Sequence, residues 1–222
     1  MFWKTALTTM SPGIETWGFP EVLAAWMAGQ LAMVGGTWPP YGRWSEGTTA
    51  EQLNWVPETQ VKGKVGYSVM PMGHSLHNAG FSLAVSADSP NKEAAYLFIQ
   101  WMTSPTISLQ RVMLPYALRD PYRLSHYASE DYRGQWANAG SYLDTLKAAA
   151  DGALLDIVMP GSSEYHTALD QLVTAAQAGT PVEEALAGGN TAFNEITDRI
   201  GREAQMEAYE NFKALKGSYY ES

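Results

Sequence analysis

The chain has 222 residues, 45% of them hydrophobic, which is enough to bury a sizeable core and excludes a mostly disordered segment. Its net charge of -9 is uneven: residues 1–143 are nearly balanced and most of the excess acid follows Asp144, which argues against nucleic-acid binding, since that needs a basic stripe. No cysteine is present, which excludes disulfides, thiolate metal sites and cysteine nucleophiles, and no apolar run approaches the roughly 20 residues of a spanning helix. The opening MFWKTALTTM has one lysine and no sustained apolar stretch, so no secretory signal is read there.

Residues 19–28, FPEVLAAWMA, place Val22, Leu23, Trp26 and Met27 on one stripe, which predicts a helix closed by Gly29. LAMV at 31–34 is a short apolar run and reads as a buried strand. TWPPYGRW reads as a loop, because its prolines and the nearby glycines oppose regular structure. Its aromatics, Trp38, Tyr41 and Trp44, suit a binding cleft, where a rigid flat face stacks on a ligand at little entropic cost; core packing is the competing use of the same rings. The polar stretch to about Lys64 reads as surface loop or short helix.

KVGYSVMP (64–71) and FSLAVSA (81–87) read as strands, with GHSLHNAG between them. SPNKEAAYLFIQWM predicts a helix with Ser89 as N-cap and Pro90 in its first position, burying Ala94, Leu97, Phe98 and Trp101. From Pro105 the pattern is mainly helical: TISLQRVM, a polar loop through RDPYRLSHY, then NAGSYLDTLKAAADG. SSEYHTALDQLVTAAQAG carries Tyr165, Ala168, Leu169, Leu172, Val173 and Ala176 on one face and stops at Gly179. A last helix runs from Pro181 to near Leu215, with a weak point at Gly188 and Gly189.

Residues 73–77, GHSLH, match four of the five places of the serine-nucleophile pattern G-x-S-x-G, with His77 where the last glycine would stand. The chain order of a triad is met by Ser75, then Asp120 or Asp156, then His126 or His166. The elbow is not, because a loop and a strand follow Ser75 instead of a helix that would aim its N-terminus at an oxyanion. A serine carboxylesterase is therefore an alternative reading, with Ser75, Asp156 and His166 as its residues. The histidines at 74, 77, 126 and 166 lack metal-binding spacing, so neither metal nor cofactor is expected. Arg119 and Arg123 offer guanidinium forks that match paired hydroxyls or a carboxylate; pairing with Asp120 or Asp131 is the competing use.

Four segments, AWMAGQLAMVGGTW, VGYSVMPMG, GFSLAVSADSPNKEAAYLFIQWMTSP and TPVEEALAGGNTAFNEI, resemble in order and spacing the second half of the extracellular solute-binding proteins of bacterial ABC sugar importers, the maltose-binding-protein-like family. The resemblance runs over about residues 20–200. It implies an α/β fold, periplasmic-binding-protein-like of type II, with a helix-rich C-terminal lobe and a crossing segment of the first lobe, incomplete relative to the family. Residues 1–71 would belong to the second lobe, 72–115 to the hinge and first lobe, and 116–222 to the helical remainder of the second lobe.

The function so implied is capture of a sugar or sugar-like solute, a carbohydrate or polyol, for delivery to an ABC transporter permease, with no bond made or broken. Trp38 would lie under a sugar ring, as a Trp on a loop after Gly35-Gly36 also allows. The loop at 72–80 would lie by the hinge, with His77 and Asn78 bonding ligand hydroxyls and Gly80 admitting a close backbone approach. Glu164, Tyr165 and His166 open a helix where the family carries cleft aromatics. Intact members are periplasmic or extracellular and membrane-tethered. Without the first lobe's other strands, the strand at 81–87 keeps an open edge, so a homo-oligomer through that edge is expected. A third reading is a protein-interaction module acting through the acidic C-terminal surface.

Overall fold

A computed structural model describes residues 8–35, 40–47, 51–70, 82–114, 117–153 and 158–216. The chain forms two compact units: residues 18–154, and residues 1–17 together with 155–222.

In the first of these, α1 (Phe19–Met27) starts where the Gly18 N–H donates to the Glu21 carboxylate at 2.9 Å. Pro20 sits in the first turn, where its missing N–H costs no bond. Leu23 and Met27 are fully buried, which stabilises the unit by about 1.5–3 kcal/mol each. The chain reverses at Gly29, whose φ of 73° lies in the left-handed region, as the sequence leads one to expect.

The expected loop around TWPPYGRW is corrected in its described part: Pro40–Ser45 is a helix, α2, and all of its residues are buried. Pro40 occupies its first position, where a helix has no acceptor waiting for an N–H, so this proline starts the helix it was expected to forbid. Tyr41 and Trp44 join Leu23, Met27, Leu53 and Val56 in one core. Trp26 Nε1 donates to Ser45 Oγ at 2.8 Å and Tyr41 OH to the Phe19 carbonyl at 3.1 Å, tying α2 to α1.

After α2 come α3 (Lys92–Thr103), α4 (Pro105–Met113), the single turns α5 (Leu124–Tyr127) and α6 (Glu130–Arg133), and α7 (Ala139–Asp151). Val112, Tyr132, Tyr142 and Leu143 form a second core, flanked by Tyr67, Leu109, Tyr127 and Trp136. Arg133 grips Asp144 through two bonds of 2.8 and 2.9 Å, joining α6 to α7. Gly42 is where α2 meets this core: a Cβ there would come within 2.6 Å of the Tyr142 ring and 3.0 Å of the Tyr67 ring.

Other expectations for this unit need correction. The strands at 31–34, 64–71 and 81–87 form no ladder in their described parts, 31–34, 64–70 and 82–87. Extended backbone becomes a strand only when another segment pairs with it, and here the Val65 carbonyl accepts from the Asn138 side chain at 3.1 Å instead. The helix-rich part of the fold expectation holds, while the α/β sheet has no counterpart among the described residues. α3 begins at Lys92 with Asn91 as its cap; Ser89 Oγ accepts the Asn91 N–H at 3.2 Å in a turn ahead of it. Its expected core face, Ala94, Leu97, Phe98 and Trp101, is exposed. The polar loop RDPYRLSHY ends in the helical turn α5.

The other unit holds α8 (Ser162–Gln177), α9 (Val182–Ile200) and α10 (Arg202–Lys216). α8 and α9 pair across the short connection at 178–181. Tyr165 OH and Thr197 Oγ1 lie 2.8 Å apart, and the Tyr165 ring meets the edge of Phe193 at 5.2 Å. The expected weak point is displaced: the helix runs through Gly188 and Gly189 and breaks at Gly201, where φ is 106°. Gly189 serves packing, since Leu172 Cδ1 comes within 2.7 Å of where its Cβ would stand.

Gly42→Ala is expected to destabilise the chain by about 1–3 kcal/mol, because the Tyr142 and Tyr67 rings are held and cannot yield as a flexible side chain would. Urea unfolding checks this: the midpoint should fall while the slope stays unchanged.

Candidate functional site

Of the residues singled out from the sequence, Trp38, Ser75, His77, Asn78, Gly80 and Asp156 lie outside the described residues. Tyr41 is described and buried in the core beside α1, so its ring serves the scaffold. Glu164, Tyr165 and His166 lie at the start of α8. Glu164 forms an ion pair with Arg199, Tyr165 packs onto α9, and His166 is exposed. Arg119 and Arg123 belong to the other unit, on the loop that leads into α5.

That loop is held from beneath by a residue that no sequence motif marks. Arg43, on α2, is 1% exposed. Its Nη1 donates to the Val112 carbonyl at 2.7 Å and the Leu114 carbonyl at 3.2 Å. Its Nη2 donates to the Ala117 carbonyl and, at 3.4 Å, to the Arg119 carbonyl. A guanidinium suits this position because its donors form a rigid planar fork, so one side chain fixes several carbonyls at once. Its charge carries a large desolvation cost, which these bonds and the nearby Asp120 carboxylate offset.

Further bonds complete the staple. Tyr127 OH donates to the Pro121 carbonyl at 2.6 Å, and Arg123 Nη2 donates to the Thr103 carbonyl. The Tyr122 N–H reaches His126 Nδ1 at 3.4 Å, a long contact. His126 is fully buried, with Nε2 3.0 Å from Ser108 Oγ. Because Nδ1 accepts, the ring proton is assigned to Nε2, which donates to Ser108, while the Ser108 hydroxyl donates to the Pro105 carbonyl at 3.1 Å. The pair braces α4 against α5.

Asp120 lies between the buried arginine and the phenols. Burial pushes its carboxyl up to about 6, opposed by the Arg43 charge, and its Oδ1 has no hydrogen-bond partner among the described residues. Burial likewise raises the phenols of Tyr67 and Tyr127 to about 12 and that of Tyr142 well above its usual value. These phenols therefore stay neutral at physiological pH. Burial, and secondarily the Arg123 charge, lowers the His126 pKa and keeps that ring neutral.

Outward, the same loop shows Leu118, 45% exposed, an exposed Arg119, and Tyr122, 50% exposed, with the Arg123 guanidinium 5.9 Å from the Tyr122 ring centre. A fixed backbone, a cation and an aromatic face together can hold a small polar ligand that carries paired hydroxyls or a carboxylate. Sequence reasoning found Arg119 and Arg123 but not Arg43, whose carbonyl partners stand 69 to 76 residues away. The signal it offered was an arginine set among aromatics and small residues in PPYGRW. Among the described residues no cluster of three or more acidic or histidine side chains could hold a metal ion. No described helix is long and apolar enough to cross a membrane.

Residues 2–107 match the family model of bacterial extracellular solute-binding proteins. Over 99 residues the chain is 36% identical to a protein of Sinorhizobium fredii (strain NBRC 101917 / NGR234) described as a probable amino-acid ABC transporter periplasmic-binding protein. The shared stretch is 43% of this chain and 20% of that relative, so the chain spans only a fifth of the relative's length. No solved structure matches the chain. The family match includes α1, α2 and α3 with Arg43, and the loop that Arg43 holds lies beyond it.

Arg43→Met is expected to cost roughly 3 kcal/mol or more, because it removes the guanidinium bonds to the Val112, Leu114, Ala117 and Arg119 carbonyls at once. Amide exchange should rise selectively over residues 112–122. Asp120 titrates in the opposite sense from an ordinary ion-paired carboxylate. Its folded pKa, about 6, exceeds the unfolded value of 3.8, so its contribution is fully present below 3.8 and is lost as pH rises through about 6. His126 acts the other way, since a lowered folded pKa makes its contribution present above the usual 6.5 and lost as pH falls. Asp120→Asn should therefore raise stability at about pH 7.5 by about 1–2 kcal/mol, with the gain vanishing near pH 4, as urea titrations at both pH values would record.

Proposed function

We propose that this chain is part of an extracellular solute-binding protein that captures a small polar solute outside the cytoplasmic membrane and hands it to an ABC permease. The observation that carries this reading is the family match over residues 2–107, which takes in three of the four segments on which the resemblance rests. The role is binding without catalysis, in which the ligand is enclosed as two lobes close and no bond is made or broken. Family members act in the periplasm or at the cell exterior, and the same location is proposed for the intact protein.

The ligand proposed first is a sugar or sugar-like solute. Trp38 would stack on its apolar face, while His77, Asn78 and Gly80 would meet its hydroxyls from the hinge side. Arg119 and Tyr122 would approach from the loop that Arg43 holds, with Arg123 bracing that loop. Glu164 and Tyr165 remain candidates from the helical remainder, although each side chain already has a partner in α9. A second reading, an amino-acid ligand, is favoured by the description of the Sinorhizobium relative and by the exposed guanidinium of Arg119, a fork suited to a carboxylate. For the esterase alternative, Ser75 and Asp156 lie outside the described residues and His166 is exposed, so no described feature favours it.

A thermal-shift panel of monosaccharides, disaccharides, polyols and amino acids separates these readings. One class is expected to raise the melting temperature by about 5–10 °C at ligand well above its dissociation constant, and Arg119→Ala should abolish the shift without changing the unliganded value. Absence of any shift would count against ligand capture by this chain. Turnover of a p-nitrophenyl ester, lost in Ser75→Ala, would restore the hydrolase.

A further inference from the structure

Asp120 is anchored from both sides. The carbonyl of Arg119, before it, accepts from Arg43 Nη2 at 3.4 Å, and the carbonyl of Pro121, after it, accepts from Tyr127 OH at 2.6 Å. The Ala117 carbonyl is tied to the same arginine. Pro121 is itself buried, its ring fixes its own φ, and it restricts the backbone of the residue before it. The Asp120 side chain therefore turns outward only if a bond on one flank breaks. Between these anchors its Oδ1 is buried and has no hydrogen-bond partner among the described residues.

An ionised carboxylate only accepts hydrogen bonds, so charging Asp120 leaves a charged oxygen without a donor, a larger cost than leaving the neutral acid unpaired. The groups around it do little to relieve that cost. From α2 comes the Arg43 charge, which favours ionisation, but its Nη groups are committed to the carbonyls of residues 112, 114, 117 and 119. α6 and α7 present the neutral phenols of Tyr132 and Tyr142, and Asp151 at the end of α7 adds a second negative charge near Tyr127. On the loop and α5, Arg123 donates to the Thr103 carbonyl, Tyr127 to Pro121, and His126 Nε2 faces Ser108. We infer that the 117–122 segment is a pH-sensitive latch, closed over the Arg43 fork while Asp120 is neutral and released to hydrate the carboxylate once Asp120 is charged. Burial places the Asp120 pKa at about 6, above the unfolded 3.8, so the closed form is favoured in acid and lost as pH rises through about 6. Release carries Arg119 and Tyr122 with the backbone, so the outer face of the loop changes with pH. His126, whose pKa is lowered, acts in the opposite sense as pH falls.

Amide exchange of the full 222-residue chain without ligand tests the latch, each rate being referred to the intrinsic rate at the same pH. With a closed-state pKa of about 6 and an open-state value of 3.8, protection over residues 117–122 is expected to fall about tenfold from about pH 5 to about pH 7.5, while α1 keeps its protection. Asp120→Asn should abolish the fall and leave only the opposite trend from His126. Tyr127→Phe, which removes the anchor at Pro121, should lower protection of the segment at both pH values. A carbon-13 titration of the unaltered chain, read at the Asp120 carboxyl, needs no substitution and should give a midpoint near 6. A midpoint at the ordinary 3.8, no fall in the unaltered chain, a fall that persists in Asp120→Asn, unchanged protection in Tyr127→Phe, or an equal loss across α1 would each overturn the inference. No ligand enters these measurements, so their outcome is separate from that of the thermal-shift panel.

Discussion

The fork of Arg43 is the constraint on which the larger unit depends. A guanidinium withdrawn from water is tolerable only where its donors are satisfied, and here carbonyls from residues 112, 114, 117 and 119 supply the acceptors. Those carbonyls belong to the end of α4 and to the segment after it, whose described residues up to 122 form no ladder or helix. Each side removes the other's unsatisfied groups. A lysine would bring a compact, strongly hydrated charge without the planar spread of donors. Because Arg43 sits on a helix packed against Leu23 and Met27, the loop inherits the rigidity of the first core.

Around this contact the titratable groups are kept neutral or half-neutral by burial. Tyr67, Tyr127, Tyr132 and Tyr142 are all pushed away from ionisation, and Asp120 is the acidic side chain that Tyr127, Tyr132 and Tyr142 share as a further cause. Asp120 is partly compensated by Arg43 yet leaves an oxygen unpaired, so the charge balance beneath the loop is imperfect. The outer surface of the same loop carries an unburied cation and an aromatic ring. Interior polarity fixes the backbone, and the exterior keeps its polar groups in water.

α3 and α4 show the opposite economy. α4 buries Ser108 and Val112 and feeds its last carbonyls to Arg43, whereas the preceding α3 buries nothing. Two consecutive helices, both amphipathic by pattern, thus differ in whether their apolar residues have found a surface. Hydrophobic burial depends on the presence of a partner, which no property of the helix itself supplies.

Elements with a local cause are legible in the order of residues alone. The 3.6-residue stripe of Val22, Leu23, Trp26 and Met27 specified α1, the stripe from Tyr165 to Ala176 specified α8, and Gly29 and Gly179 stopped them through conformations open mainly to glycine. Arg119 and Arg123 were legible too, because a guanidinium on a polar loop is visible in composition. The packing and the role of Arg43 waited on the fold. Pro40–Ser45 became a helix because its aromatic rings found Leu23 and Met27, and Arg43 acquired its role because its acceptors lie 69 to 76 residues away. The helix carries through Gly189, where the missing Cβ leaves room for Leu172, and breaks at Gly201, where φ is 106°, while 64–70 and 82–87 are left without ladders. Periodicity and turn chemistry act between neighbours in the chain. Burial, strand pairing and the satisfaction of carbonyls act between segments that the fold must first bring together.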